Sequence, residues 1–273
     1  MADPASQPPT SAMVTGATSG IGLAFAQHLA RRGYDIVLVA RDEARLHQTA
    51  DTITAETGRR TTILRADLAQ AADVQRVADR LAAVDEPIGI LVNNAGMAVR
   101  QRLTDPDPDP FDTALDVMCR AVLVLGGAAA RAMLPRGRGA IINVSSTAGY
   151  MTMGMYSAIK AWVTVYTESL AVELRGTGVQ ATALCPGWVH TEFHQRAGIS
   201  TSSIPSWLWT DTDDVVTTCL RDVARGKVVS IPSARYRALM WAVRHLPRGA
   251  VRSVSGRITS RRGTPDPGDE EVR

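Results

Sequence analysis

Tyr156-Ser157-Ala158-Ile159-Lys160 sets a phenol and an ammonium four residues apart, a spacing that puts both on one face of a helix. A tyrosine ordinarily titrates near about pH 10. A cation within roughly 4–6 Å favours the phenolate and lowers that value, which suits a group that gives and takes a proton at neutral pH. Such a pair is also a common helical neighbour relation, and composition sharpens it. Of 30 basic residues only Lys160 and Lys227 are lysine, the other 28 being arginine. A bulky guanidinium that is never neutral does not replace a compact ammonium under a phenol. Upstream, Ala140-Ile141-Ile142-Asn143-Val144-Ser145-Ser146 reads as a buried strand ending in two hydroxyls. Ser146 is placed to donate to a substrate oxygen beside Tyr156, and a helix-cap or turn serine is the competing reading.

A second group of residues suits a phosphate. The apolar run Ala12–Thr15 leads directly into Gly16-Ala17-Thr18-Ser19-Gly20-Ile21-Gly22, after which a helical pattern begins. Glycines between a strand and a helix allow a tight turn and close approach of the backbone to a pyrophosphate. That group then sits against the free N–H groups of the helix N-terminus. The second strand ends at Val39-Ala40-Arg41-Asp42. A carboxylate at the strand end would bind a ribose 2′-hydroxyl, whereas an arginine favours a 2′-phosphate. Ala40 and then Arg41 therefore favour NADP(H) over NAD(H), with Asp42 as the residue that argues the other way.

The elements that must position these groups follow from hydrophobic rhythm. Short apolar runs at Ala12–Thr15, Asp35–Ala40, Thr62–Arg65, Ile88–Asn93, Ala140–Ser145, Gln180–Leu184 and Val228–Ile231 read as strands. Helical patterns lie between them at Ile21–Arg32, Glu43–Glu56, Ala72–Val84, Phe111–Leu134 and Tyr156–Arg175. Strands buried on two faces and alternating with helices imply an α/β fold. It is a doubly wound parallel sheet of about seven strands with helices on both faces. One such domain is expected over residues 11–258. It would include a substrate flap at 193–226, carrying Trp207 and Trp209, and a C-terminal helical extension at 233–258. Residues 1–10 and 259–273 are expected to be disordered tails, and Asp105–Pro110 a stiff connector.

Composition excludes several classes. With 45% hydrophobic and 21% charged residues the 273-residue chain is globular, not disordered throughout. Three scattered cysteines, Cys119, Cys185 and Cys219, form neither a disulfide framework nor a zinc ribbon. The N-terminus has no signal-peptide pattern, and no apolar run approaches the roughly 18 residues of a membrane span, so a cytoplasmic location is expected. His190 and His194 flank Glu192 but lack a third ligand set, so no metal is expected.

Taken in order, these motifs make the sequence similar to the short-chain dehydrogenase/reductase family in its simple single-domain form. Thr15-Gly16-x3-Gly20-Ile21-Gly22 resembles that family's cofactor turn, with Thr18 and Ser19 inside it. Asp67-Leu68 resembles its adenine contact, and Asn93-Asn94-Ala95-Gly96 the signature closing its fourth strand. Ser145-Ser146 with Tyr156-x3-Lys160 resembles its active site, and Pro186-Gly187 with Val189 and Thr191 the segment that holds the nicotinamide carboxamide. The resemblance covers about residues 12–232 and implies an oxidoreductase. In it Tyr156 exchanges the substrate proton, Lys160 lowers the tyrosine pKa and bonds the nicotinamide ribose, and Ser146 holds the substrate oxygen. It also implies a homodimer or homotetramer. Two departures stand out. The family's helical asparagine, which supports a proton-relay water, is matched by Met118, and no asparagine occurs between Asn94 and Asn143. The step from Ser146 to Tyr156 is ten residues, shorter than is usual in the family, which leaves open whether Ser145 or Ser146 faces the substrate.

Met97, Tyr150, Met153, Trp188, Phe193 and Trp207 are expected to wall an adaptable apolar pocket for a ketone, aldehyde or secondary alcohol. Core filling is the alternative for the methionines. Residues 221–262 hold eleven Arg or Lys against the single acid Asp222. No nucleic-acid pattern is present there. A solvated or subunit-contact face is favoured over peripheral membrane contact, which Trp241 and Leu246 keep open. Two other functions remain: a non-catalytic NADP(H)-binding sensor or scaffold, and an epimerase or dehydratase on the same fold.

Overall fold

The computed structural model describes residues 11–99, 101–192 and 205–262, with side chains to residue 256. Seven parallel strands form one sheet. They are β1 (Ser11–Thr15), β2 (Asp35–Ala40), β3 (Thr61–Arg65), β4 (Ile88–Asn93), β5 (Gly139–Val144), β6 (Val179–Leu184) and, after the short pair β7 (Trp188–Val189) and β8 (Trp209–Thr210), β9 (Val229–Ser230). Their order is β3-β2-β1-β4-β5-β6-β9, so the chain reverses its direction of travel across the sheet between β1 and β4. In open sheets of this kind a crevice opens at that point, beyond the carboxyl ends of the strands.

The sheet is a layer between two cores. Along β1, Ala12 and Val14 join Phe25, Leu29, Leu38 and Ile53 on one face. Met13 turns the other way, to Val37, Leu91, Leu125 and Ile141, as the two-residue period of a strand requires. Helices α1 (Gly20–Arg31) and α2 (Glu43–Thr57) cover the first face, α3 (Ala71–Ala82), α5 (Ala121–Met133) and α6 (Gly154–Glu173) the second. Asp42 starts α2 by accepting the Arg45 N–H at 3.0 Å, and Gly58 ends it at φ 66°, a left-handed stop that favours glycine.

Three sequence expectations need correction. The long helix expected at 111–134 is interrupted: α4 (Asp109–Leu115) passes through a π-turn, Asp116–Arg120, into α5. There the Ala121 N–H reaches back five residues to the Asp116 carbonyl. Much of the segment read as a flap is a core helix, α7 (Thr212–Ala224). Its Val215, Val216, Cys219 and Val223 pack with the α1 side of the sheet. The polar first turn, Thr212-Asp213-Asp214, masked this rhythm in the sequence. Beyond α8 (Ala234–His245), helix α9 (Arg248–Arg262) runs past residue 258 into the stretch read as a tail. Helical residues Asp109–Arg136 are long and apolar enough to span a membrane by length and composition alone. Their apolar side is a core surface, since Ala121, Leu125, Ala128, Ala129 and Met133 pack on α3 and the sheet.

Candidate active site

At the β1–β4 junction the backbone is closed by a side-chain lattice. The Asn94 amide donates to the carbonyls of Thr15 at 2.9 Å and Gly16 at 3.2 Å. The Thr15 hydroxyl accepts the N–H groups of Asn94 at 2.9 Å and Ala95 at 3.0 Å and donates to Val92 O at 3.4 Å. Gly16 and Gly20 have φ of +64° and +53°. A Cβ on Gly22 would strike the Gly16 carbonyl and the Asn94 amide, so only glycine admits this close packing. The result is a bare turn, with Ser19 as N-cap of α1 and Thr18 partly exposed. Its glycines and helix N-terminus fit a pyrophosphate. Thr191 approaches the turn from the far side, its methyl 3.1 Å from a Cβ built on Gly20. Asn94 therefore acts on the turn rather than on the space above it.

At the end of β2 the two candidate selectors separate. The Asp42 carboxylate is engaged in capping α2, whereas Arg41 is exposed and its carbonyl accepts from the Arg65 guanidinium at 3.3 Å. Asp67, after β3, accepts the Ala69 N–H at 3.1 Å, and Leu68 is buried in the core.

The second half of the site lies where β5 meets α6. Ser145 is buried and faces inward: its hydroxyl donates to the Lys160 carbonyl at 2.7 Å and lies 2.7 Å from the Thr164 hydroxyl. Ser146 caps the short turn Thr147–Tyr150 by accepting the Ala148 N–H at 3.1 Å, and it is hydrogen-bonded to Tyr156. Of the two serines, Ser146 is therefore the one beside the phenol and Ser145 the one turned into the core. A hydrogen-bonded file, Asn93 to Asn143 to Thr167, each step 2.9 Å, crosses from β4 through β5 to α6 behind them. Sequence reasoning did not find it, although both asparagines interrupt apolar strands.

Lys160 is buried and donates to the Val144 carbonyl at 2.8 Å, its ammonium 5.6 Å from the centre of the Tyr156 ring. Burial lowers its pKa to about 8. Burial also pushes the Tyr156 hydroxyl up to about 12, with the Ser146 hydrogen bond pulling the other way. The expectation that Lys160 lowers the tyrosine pKa is therefore not met. The ammonium is turned toward the strand end, and desolvation of the phenol outweighs it.

Met118 is buried in a small apolar cluster with Ala114 and Ile159, against which Met97, Met155 and Tyr156 pack. Its sulfur lies 3.3 Å from a Cβ built on Gly96. The π-turn thus carries Met118 into the space beside the tyrosine, and π-turns recur at functional sites.

The expected pocket residues divide. Met97 belongs to this cluster, and Met153 is the N-cap of α6, two residues before Met155. Trp188 lies on β7, paired with Trp209 of β8. Tyr150 is engaged by Arg244, whose guanidinium sits 4.9 Å over the ring and donates to its hydroxyl at 3.3 Å. Trp207 is 58% exposed, and Phe193 lies outside the described residues. Pro186 accepts both the N–H (2.9 Å) and the hydroxyl (3.1 Å) of Thr147, which joins the serine turn to the Pro186–Thr191 segment, and Val189 is buried behind it. Tyr236 was missed by sequence reasoning. Its ring fills the space a Gly187 side chain would need, and its hydroxyl accepts from Trp188 N at 3.0 Å and donates to Leu208 O at 2.8 Å. A glycine facing a buried aromatic is a tertiary relation that no local pattern reveals.

A doubly wound parallel sheet with a glycine turn at its switch point defines a dinucleotide-binding class of fold. Comparison with known proteins narrows it. The sequence model described as short chain dehydrogenase matches residues 10–200. The chain is 41% identical over 198 residues to the monensin polyketide synthase putative ketoacyl reductase of Streptomyces virginiae, a match covering 68% of this chain and 72% of that protein. A short-chain dehydrogenase from Sphingobium yanoikuyae in complex with NADPH superposes with a TM-score of 0.78 at 36% identity, covering 85% of this chain and 92% of that one. A bulky-bulky ketone specific alcohol dehydrogenase from Comamonas testosteroni has a TM-score of 0.74 at 32% identity, covering 85% and 91% respectively. The chain belongs to the short-chain dehydrogenase family and is an oxidoreductase of that family.

The buried ammonium makes folding pH-dependent in the cofactor-free protein. The folded pKa, about 8, lies below the ordinary 10.5. Between these values the unfolded chain holds the proton and the folded chain does not, so stability rises with pH. Chemical denaturation is expected to show a gain on the order of 3 kcal/mol across that window, tempered above about pH 10, where the raised Tyr156 acts in the opposite sense. Lys160→Met removes the gain. A flat profile in the parent protein contradicts the reading.

Proposed function

We propose that the protein is an NADP(H)-dependent ketoreductase acting on an apolar ketone or aldehyde, or on the corresponding secondary alcohol in reverse. The observation that carries this is the hydrogen-bonded Ser146–Tyr156 pair above buried Lys160, on the same sheet edge as the glycine turn. Bound NADPH supplies a hydride to the carbonyl carbon. Tyr156 donates its phenolic proton to the carbonyl oxygen, and Ser146 donates a hydrogen bond to the same oxygen, so the product is an alcohol. The negative charge left on Tyr156 falls near Lys160, whose ammonium lies 5.6 Å from the centre of the phenol ring and would also hold the nicotinamide ribose. Met118 offers no hydrogen bond to a relay water, so the returning proton reaches the phenolate by way of Lys160 and backbone-bound water.

The apolar reading of the substrate rests on Met97, Met118 and Met155 packed beside Tyr156. It is supported by likeness to the bulky-bulky ketone specific alcohol dehydrogenase of Comamonas testosteroni. The NADP(H) preference rests on Arg41 free at the strand end with Asp42 engaged in the helix cap. It is supported by a neighbour that holds NADPH. A non-catalytic NADP(H)-binding protein is the second reading, favoured by Met118 where a relay asparagine is expected.

The α5–α6 surface supports a homo-oligomer. Leu123, Trp162, Val165 and Val172 are all exposed on it, Val165 and Val172 at 61%, with Leu115 at the end of α4 beside Leu123 and Trp162, and Trp162 stacks on Tyr166 with ring centres 5.0 Å apart. So large an apolar face on a monomer marks a contact surface, and a second copy suits it.

Three measurements test these readings. Tyr156→Phe is expected to lower turnover of apolar ketones by about 10²–10⁴-fold while NADPH binding by fluorescence titration is retained. Near-full turnover defeats the mechanism, and NADPH binding without turnover of any carbonyl by the parent enzyme favours the sensor. Arg41→Ala should raise the KM for NADPH by about 10–100-fold, the loss of a charged hydrogen bond, and leave that for NADH nearly unchanged. An equal effect on both removes Arg41 from cofactor choice. Val165→Glu should lower the sedimenting mass to that of one chain, and a parent protein that already sediments as a monomer rules the oligomer out.

A further inference from the structure

The last two helices form a surface that the redox reading does not use. In α8, Tyr236 and Met240 are buried against the body of the protein and Val243 is half-buried. The opposite side would carry charge if it only met water. Its centre is instead Ala234, Ala238, Trp241, Ala242 and His245, all exposed, with Trp241 at 66% and the His245 ring 4.4 Å from it. Leu239 and Leu246 are exposed along one margin, and Val254 of α9 is exposed nearby in sequence. Arginines accompany this strip, three on α8 itself and two in the following helix α9. Arg235, Arg237, Arg244, Arg248 and Arg252 are all exposed, and the chain has no acidic residue between Asp222 and Asp266.

From this arrangement we infer that the α8–α9 face docks on an anionic lipid bilayer, with Trp241 and the leucines entering the interface and the arginines meeting headgroup phosphates. Two arguments select this occupant. An isologous contact with a second copy brings the same patch against itself, so the unneutralised arginines of one copy would face those of the other. A nucleic acid satisfies the arginines but offers nothing to exposed leucines, since only one aromatic stands among the charges and stacking platforms need several. An interfacial helix needs both halves: apolar side chains at its outward centre and cations at its flanks.

The surface is joined to the site. Tyr236, on the buried side of α8, fixes Gly187 and Trp188. Arg244 holds Tyr150 of the serine turn, and Ser255 of α9 accepts the Thr152 N–H at 3.1 Å. A docked enzyme would therefore present the approach to its pocket near the bilayer, where apolar ketones concentrate. The docking inference itself does not depend on the redox reading, because partition is measured without cofactor or substrate.

The test is flotation of the full chain with phosphatidylcholine vesicles, with and without about one third phosphatidylglycerol. Anionic vesicles are expected to retain at least about tenfold more protein than neutral ones, and raised salt should reduce the difference. Trp241→Ala and the pair Arg248→Glu with Arg252→Glu are each expected to lower retention about tenfold. The melting temperature and the turnover of a water-soluble carbonyl without vesicles should stay unchanged. Equal retention on both vesicle types, no retention, or retention untouched by both variants overturns the inference. So does a change of oligomeric mass in Trp241→Ala, which would assign the face to a subunit contact, and so does binding of single-stranded RNA in place of vesicles.

Discussion

The hydrogen bonds that tie Asn94 and Thr15 to the glycine turn decide where everything else can lie. They join two strands at the point where the chain reverses its course across the sheet. A sheet whose strands all run one way gathers its carboxyl ends along one edge, and the gap at the reversal is the only place there that adjoining crossovers leave uncovered. The lattice converts that gap into a shaped turn, because it satisfies the partly buried N–H groups of Asn94 and Ala95 and the carbonyls of Thr15 and Gly16 together. Gly22 is then forced by contact rather than by backbone preference, since the Gly16 carbonyl and Asn94 amide already occupy the position of a side chain.

The serine–tyrosine half rests on a different economy. Lys160 is taken out of water with the Val144 carbonyl as its hydrogen-bond partner, and that desolvation lowers its pKa. Tyr156 is raised by the same burial. The two groups titrate close together in water and are pushed apart by burial, the ammonium down and the phenol up, so the ammonium is the better acid and is suited to return a proton to the phenolate. Ser145 contributes from behind: by holding the Lys160 carbonyl and Thr164 it fixes the helix turn from which the ammonium projects.

Much of this was legible in the sequence. Strand positions came from short apolar runs, and the register of β2 on β1 keeps the polar Arg41 beyond the paired residues, as the reading of the strand end required. The glycine turn and the Tyr156–Lys160 pair stand out because their spacing is local. What stayed hidden depends on contacts between distant residues. The π-turn at Asp116–Arg120 leaves no mark in a helical pattern, since widening a helix by one residue moves an apolar position without removing it. Helix α7 was obscured by its acidic first turn, which favours the helix N-terminus while hiding the apolar rhythm that follows. The choice between Ser145 and Ser146 needed the strand's direction at its last residue. The direction of the tyrosine shift needed the position of the lysine head as well as its spacing along the chain.

Gly187 and Tyr236 share one volume: the phenol stands where any side chain on the glycine would go. In descent from a common ancestor the two positions are therefore epistatic. A larger residue at 187 is tolerated only in a lineage where position 236 has already become small, and such a lineage has given up the hydroxyl that bridges Trp188 and Leu208. The order in which the two substitutions arise is thus constrained, and among homologues these sites should vary as a pair.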